Sequence, residues 1–188
     1  MPQSRDTVAM TAQDVLHFWF DQSTPQQWFQ KDAAFDAAIR DRFAALHASA
    51  AQGELWAWRT TAAGRLAEIL VLDQFSRNLF RDDARAFAQD GMALVLAQEC
   101  VARQDDAALA PQQRAFVYMP YMHSESLRVQ EASVALFTAL GNANNLDFAH
   151  RHHVIVERFG RFPHRNAVLG RTSTAEERAF LEQPGSSF

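Results

Sequence analysis

Apolar residues recur along this chain at spacings of three and four, the period of an amphipathic helix, and strand-like alternation never persists. Thr11 and Asp14 form an imperfect capping-box spacing ahead of Val15, Leu16, Phe18, Trp19 and Phe20, so a first helix is expected after Thr11. Thr24 before Pro25 sets a cap and a first-turn proline for a short turn carrying Trp28 and Phe29. Asp32 can cap a long helix ending near Gly53, with Phe35, Ala38, Ile39, Arg42, Phe43 and Leu46 on one face. Trp56 and Trp58 follow in a connection, where their rings are expected to staple the turn to the core.

Further helices are expected over 61–80, over 87–104, and from Pro111 to a kink or stop at Pro120. The next runs from a cap at Ser124 or Ser126 to Leu140, and another from Asn145 or Asp147 to Gly160. A short helix over 163–169 closes at Gly170, and Thr174 with Glu177 caps a last one to about Glu182. Eight or nine helices with short connections describe an all-α protein, expected as one domain over 1–188 with an irregular tail at 183–188.

The 61–80 helix is apolar almost all round, which places it at the centre of the fold. Asp73, Arg77 and Arg81 nevertheless follow one another at four-residue steps, within an arc of about 80°. A central helix must desolvate that stripe, and buried charges require partners. Two readings are open: an ion-pair ladder that fixes helix packing, or a pocket wall where Arg77 and Arg81 grip an anion.

A second polar segment is Tyr118 to Ser126, where Pro120 precedes a fresh helix start with free N–H groups. His123 titrates near neutrality in its ordinary state, and Glu125 could orient it or accept a proton. The alternative is that Ser124 and Glu125 cap the helix while His123 satisfies a carbonyl.

The third is 148–171, with Arg151, Arg158, Arg161, Arg165 and Arg171 against the single acid Glu157, and His150, His152, His153 and His164 among them. Glu157 lies four residues from both His153 and Arg161, so part of the charge is expected to pair along the helix. In the bend around Gly160 and Pro163, Phe159 and Phe162 are expected as core anchors that fix Arg161, His164 and Arg165 in place.

With 48% apolar residues, seven glycines and six prolines in 188 residues, the chain is neither disordered nor fibrous. A formal net charge of −4 argues against a nucleic-acid partner that reads a basic surface. The opening segment, with Arg5 and Asp6, lacks the apolar core of a signal peptide, and no apolar run is long enough to span a membrane. Cys100 is the one cysteine, which suits a reducing cytoplasm. Of the eighteen basic residues only Lys31 is a lysine, an arginine habit that codon usage could explain.

No HExxH, Cys-x-x-Cys or EF-hand pattern occurs, so neither metal nor cofactor is expected; His150, His152 and His153 lack evident second ligands. Walker A, GxGxxG and GxSxG patterns are absent as well. Homo-oligomerisation is left open and not indicated.

Leu72 to Arg81 with Ala86 to Asp90, then Tyr118-Met119-Pro120 with His123-Ser124-Glu125, then Arg158 to Asn166 with Leu169-Gly170-Arg171 and Ser173-Thr174, form an ordered set of motifs. Together with Val15 to Phe20 and Phe180-Leu181, they resemble the bacterial domain of unknown function 924 family over nearly the whole chain. The resemblance implies a TPR-like α-α superhelix, and carries over no activity. It places Asp73, Arg77, Arg81, Asp90, His123, Glu125, His152, Arg158, Arg161, His164 and Arg165 on the family's motif positions. Ser76 stands where the pattern more often has proline, and His153-Val154 where it has an Arg-Asp pair.

The expectation drawn from these residues is an interhelical pocket for a small anionic ligand, bearing phosphate or carboxylate. Arg77, Arg81, Asp90, His152, Arg158, Arg161 and Arg165 are its candidate binding residues, and His123, Glu125, His164 and Asp73 its candidate catalytic ones. The alternatives are a TPR-like module gripping a peptide or protein, and a buried polar network that is purely structural.

Overall fold

A computed structural model describes residues 10–187; Arg5 and Asp6 of the opening segment lie outside them. Among the described residues every regular element is a helix. The chain opens with α1 (Ala12–Leu16), which passes into a π segment (His17–Gln22), then α2 (Pro25–Phe29) and α3 (Ala33–Ala51). A 3-10 turn (Trp56–Thr60) leads into α4 (Ala62–Leu70), which runs through a second π segment (Val71–Phe75) into α5 (Ser76–Leu79). After another 3-10 turn (Ala84–Phe87) come α6 (Asp90–Ala102), α7 (Pro111–Met122), α8 (Leu127–Leu140) and α9 (Ala143–Phe159). A 3-10 turn at Pro163–Arg165 and α10 (Ala175–Leu181) complete the order.

The helix starts are local events. Thr11 and Asp14 close a full capping box, as do Thr24 with Gln27 and Thr174 with Glu177. Asp32 accepts from the N–H groups of Ala34 and Phe35, and Thr61 from that of Gly64. Gly64 serves a second purpose: a Cβ there would sit 2.0 Å from the Trp58 carbonyl oxygen, so glycine lets the 3-10 turn lie against α4.

The rod from α4 to α5 is the centre of the fold, with Leu66, Ile69, Leu70, Val71, Leu72 and Phe75 fully buried. The helices α1, α3, α6 and α7 all pack on it, α8 packs on α7, and α9 on α8. An aromatic cluster of Phe18, Trp19, Phe35, Phe43, Phe75 and Phe116 fills the space between them. This packing order is compatible with TPR-like stacking.

Several boundaries differ from the sequence reading. Pro120 does not stop α7, which continues to Met122; the missing N–H costs one bond close to the helix end, where Tyr118, Met119, Tyr121 and Met122 are all buried. Ser126 starts α8 without a side-chain cap; its N–H donates to Ser124 Oγ, and the Gln130 amide donates to the Met122 and Ser124 carbonyls. Asn142, not Asn145 or Asp147, caps α9. The 87–104 helix is a 3-10 turn followed by α6, and 163–169 holds only a 3-10 turn. Trp58 packs on the core, but Trp56 is 68% exposed and staples nothing.

Candidate functional site

The π segment in the central rod positions the first group. In a π turn the backbone ladder is locally offset, and side chains take up the carbonyls it strands. Here Ser76 Oγ donates to the Leu72 carbonyl (2.6 Å) and Arg77 Nη1 to the Asp73 carbonyl (2.7 Å). The helix is thus distorted just before Ser76 without the proline that the family pattern favours there.

The Asp73 carboxylate is 1% exposed and fully engaged. Its Oδ1 meets His123 Nδ1 at 2.7 Å and Arg77 Nη1 at 3.0 Å, while its Oδ2 accepts from the Gln74 amide at 2.6 Å. Burial alone would raise this carboxyl; Arg77 and the hydrogen bonds outweigh it and hold Asp73 well below the usual carboxylate range. Burial and the Arg77 charge depress His123, against the pull of Asp73, so the imidazole is neutral at neutral pH. An ionised Asp73 fixes the tautomer: Nδ1–H donates, and Nε2 carries the free lone pair. Nε2 has no hydrogen-bond partner among the described residues and is not sealed from solvent.

Arg77 also grips Asp90 at the start of α6, with both its terminal nitrogens on that carboxylate at 3.0 and 3.1 Å. Arg165 reaches Asp90 from the far side, Nη1 to Oδ2 at 3.2 Å, and donates from Nη2 to the His123 carbonyl at 3.0 Å. Its guanidinium lies between the Phe87 and Phe162 rings, 4.5 and 4.6 Å from their centroids. The side chain is 8% exposed, and its buried Nε–H has no partner among the described residues. Burial lowers its pKa to about 10, which still leaves a cation at neutral pH.

Of these groups, Asp90, His123 and Arg165 line a cleft of about 320 Å³. Asp90, His123, Ser124, Glu125 and Arg165 supply its polar wall, and Phe87, Leu94, Pro120 and Leu169 its apolar one. Concave, mostly apolar sites with a few convergent polar groups are the usual form of small-ligand pockets. A sequence model of bacterial proteins of unknown function, DUF924, matches residues 15–185. The chain belongs to this family. A protein of unknown function from Agrobacterium tumefaciens, ATU0120, has a similar solved structure: TM-score 0.87, 44% identity, covering 91% of this chain and 96% of that one. No curated protein matches the chain.

The remaining DUF924 motif residues are placed elsewhere. Arg81 turns to α3, where its guanidinium makes two 2.7 Å bonds to Asp36, a carboxylate that Asn78 also holds. Arg77 and Arg81 therefore serve different partners despite their four-residue spacing. Arg158 pairs with Glu176 and ties α9 to α10, while Arg161 pairs with Glu177 and the Thr172 carbonyl and ties the 160–165 bend to α10. Arg161 thus takes Glu177 in place of the expected Glu157, whereas Arg151 and Asp147 do pair along α9. His152 donates from Nδ1–H to the Phe148 carbonyl and packs on Phe162, with its ring 6.3 Å from that of His123. His164 packs on the other contact of Phe162. Burial pushes His152 down to about 3 and His164 to about 4.

Glu125 neither caps α8 nor touches His123. It accepts the Phe162 N–H at 2.7 Å and a two-bond grip from Arg171 at 2.6 and 2.9 Å, which pins the 160–165 bend to the loop after α7. Arg171, Gln74 and Phe87 lie inside the family motifs quoted above but were not among the candidate site residues, and Asp36 carried no signal in the sequence.

Proposed function

We propose that this DUF924 protein binds a small ligand carrying an anionic group, carboxylate or phosphate, in the cleft between α6, the end of α7 and the 160–165 bend. The observation that carries this reading is Arg165: a buried cation stacked between two rings, with N–H donors to spare on the wall of a cleft. His123, oriented by Asp73, is the acid–base group of the same site. The setting is the cytoplasm, where a lone buried thiol such as Cys100 is at home.

A second reading has its own observation. Arg77, Arg81, Arg161 and Arg171 each hold a carboxylate through two bonds, as a network that only specifies packing would. Titration with benzoate and phenyl phosphate separates the two. Anion binding predicts a rise in melting temperature and movement of the Arg165 side-chain resonances, both lost in Arg165→Met. A saturating ligand at about 100 Kd contributes about 2.7 kcal/mol. A wild-type chain that answers neither compound leaves the structural network as the whole account.

A further inference from the structure

The groups that face the cleft narrow the ligand beyond an anionic head. Around it, Arg77, Arg165 and Arg171 are matched by Asp73, Asp90 and Glu125, and His123 is neutral. One more negative charge meets the unused donors of Arg165. With the charges already matched one for one, each further negative charge is met by hydrogen-bond donors and not by an unpaired cation, so a carboxylate monoanion suits the site better than a phosphate dianion. The donor count agrees. Of Arg165's N–H groups, one goes to Asp90, one to the His123 carbonyl, and Nε–H is buried. What remains is one N–H on each terminal nitrogen, enough for one bond to each of a carboxylate's two oxygens.

His123 adds a demand of the opposite kind. His123 lines the same cleft, and its Nε2, left as the acceptor by the Asp73 bond, calls for a donor. An ammonium would need several acceptors, whereas the bonds from Arg77, Arg165, Arg171 and the Phe162 N–H leave one acceptor position each on Asp90 Oδ1 and Glu125 Oε2. A neutral hydroxyl needs one. Phe87, Leu94 and Leu169 offer the apolar surface for a hydrocarbon body.

We propose that the cleft recognises a small hydroxy acid, its carboxylate on Arg165, its hydroxyl donating to His123 Nε2, and its apolar body on Phe87, Leu94 and Leu169. This rests on the anion-binding reading above and specifies its ligand class.

A matched set sharing one phenyl group tests it on the unaltered full chain at neutral pH: mandelate, phenylacetate, phenylglycine and phenyl phosphate. Calorimetric titration is expected to rank mandelate about five- to tenfold above phenylacetate, the worth of one net hydrogen bond. The Nε2 nitrogen resonance of His123 is expected to move with mandelate and to stay with phenylacetate. In His123→Phe, checked for folding by circular dichroism, the preference is expected to vanish while phenylacetate still binds. Equal affinity for mandelate and phenylacetate overturns the hydroxyl assignment and leaves the anion site standing. Phenylglycine or phenyl phosphate binding more tightly than mandelate overturns the hydroxy-acid class in the same way. Failure of all four compounds overturns the anion-binding reading itself.

Discussion

Arg77→Ala probes the point where the central rod, the His123 dyad and α6 meet. The substitution deletes the bonds to the Asp73 carbonyl and to the Asp73 and Asp90 carboxylates in one step. Asp73 cannot relax into water, being 1% exposed, so its charge stays behind with only His123 and Gln74 to hold it. Removing one partner of a buried ion pair costs about 3–5 kcal/mol. For a chain of this size each kcal/mol moves the melting temperature by about 2–4 °C, giving a drop of about 6–20 °C.

The cost carries a pH signature. Arg77 is one of the two main reasons His123 is hard to protonate, burial being the larger. Without it, Asp73 and Asp90 pull the imidazole's pKa upward. A native-state pKa above the unfolded one adds stability that is present on the acid side and fades as pH rises. The penalty of Arg77→Ala should therefore be smaller at about pH 6 than at about pH 8. Urea unfolding at both pH values reads it directly. A penalty below about 1 kcal/mol at neutral pH, or one that grows on acidification, would refute the account of this pair.

The remaining predictions concern separate parts of the fold. Native His152 and His164 resist protonation down to about pH 3 and 4, whereas the unfolded residues protonate near 6.5, so acid favours the unfolded chain across that interval. Urea midpoints should fall as pH drops from about 6.5 to 4, and replacing His152 with glutamine should flatten the slope by up to about 1.4 kcal/mol per pH unit. Arg81→Met leaves the buried Asp36 to Asn78 alone and should cost about 2–4 kcal/mol, measured by denaturation, without changing the shift produced by an anion. Loss of that anion response would put Arg81 in the site. Gly64→Ala gains helix propensity, yet its Cβ meets the Trp58 carbonyl, so a net destabilisation of about 1–3 kcal/mol is expected in thermal melts.

The caps at Thr11, Thr24, Asp32 and Thr174 were legible because they need only residues two or three positions on, whereas α9 takes Asn142 in place of Asn145 or Asp147 and α8 starts without a side-chain cap. The buried centre near 61–80 was legible from its all-round apolar pattern. Charge pairing followed spacing only in part. Asp73 and Arg77 pair at four residues as expected, but the next residue in the stripe, Arg81, finds Asp36, 45 positions away. A stripe on one helix records which side chains share a face, not which helix supplies the counter-charge. The π segment was illegible for a similar reason: offsetting the ladder is worthwhile only because Ser76 and Arg77 then hold the Leu72 and Asp73 carbonyls. The site's selection of Arg165 over its neighbours depends on Phe87, a residue from another part of the chain.

The arginines divide by what surrounds them, not by how basic their neighbourhood is. Arg81 and Arg161 each meet a buried carboxylate in a two-bond grip, and their charge is spent on joining elements. Arg171 does the same for Glu125, and Glu125 in turn holds the Phe162 N–H. Phe162 is fully buried, and its ring is one of the two faces that confine the Arg165 guanidinium. The closed pairs therefore form the support for the one that is not closed. A cation fixed by ring faces and two anchoring bonds has already lost the rotamer freedom that an exposed arginine would surrender on meeting a ligand. On the anion-binding reading, that prior ordering is what Arg165 and His123, both on the same cleft, would bring to a ligand.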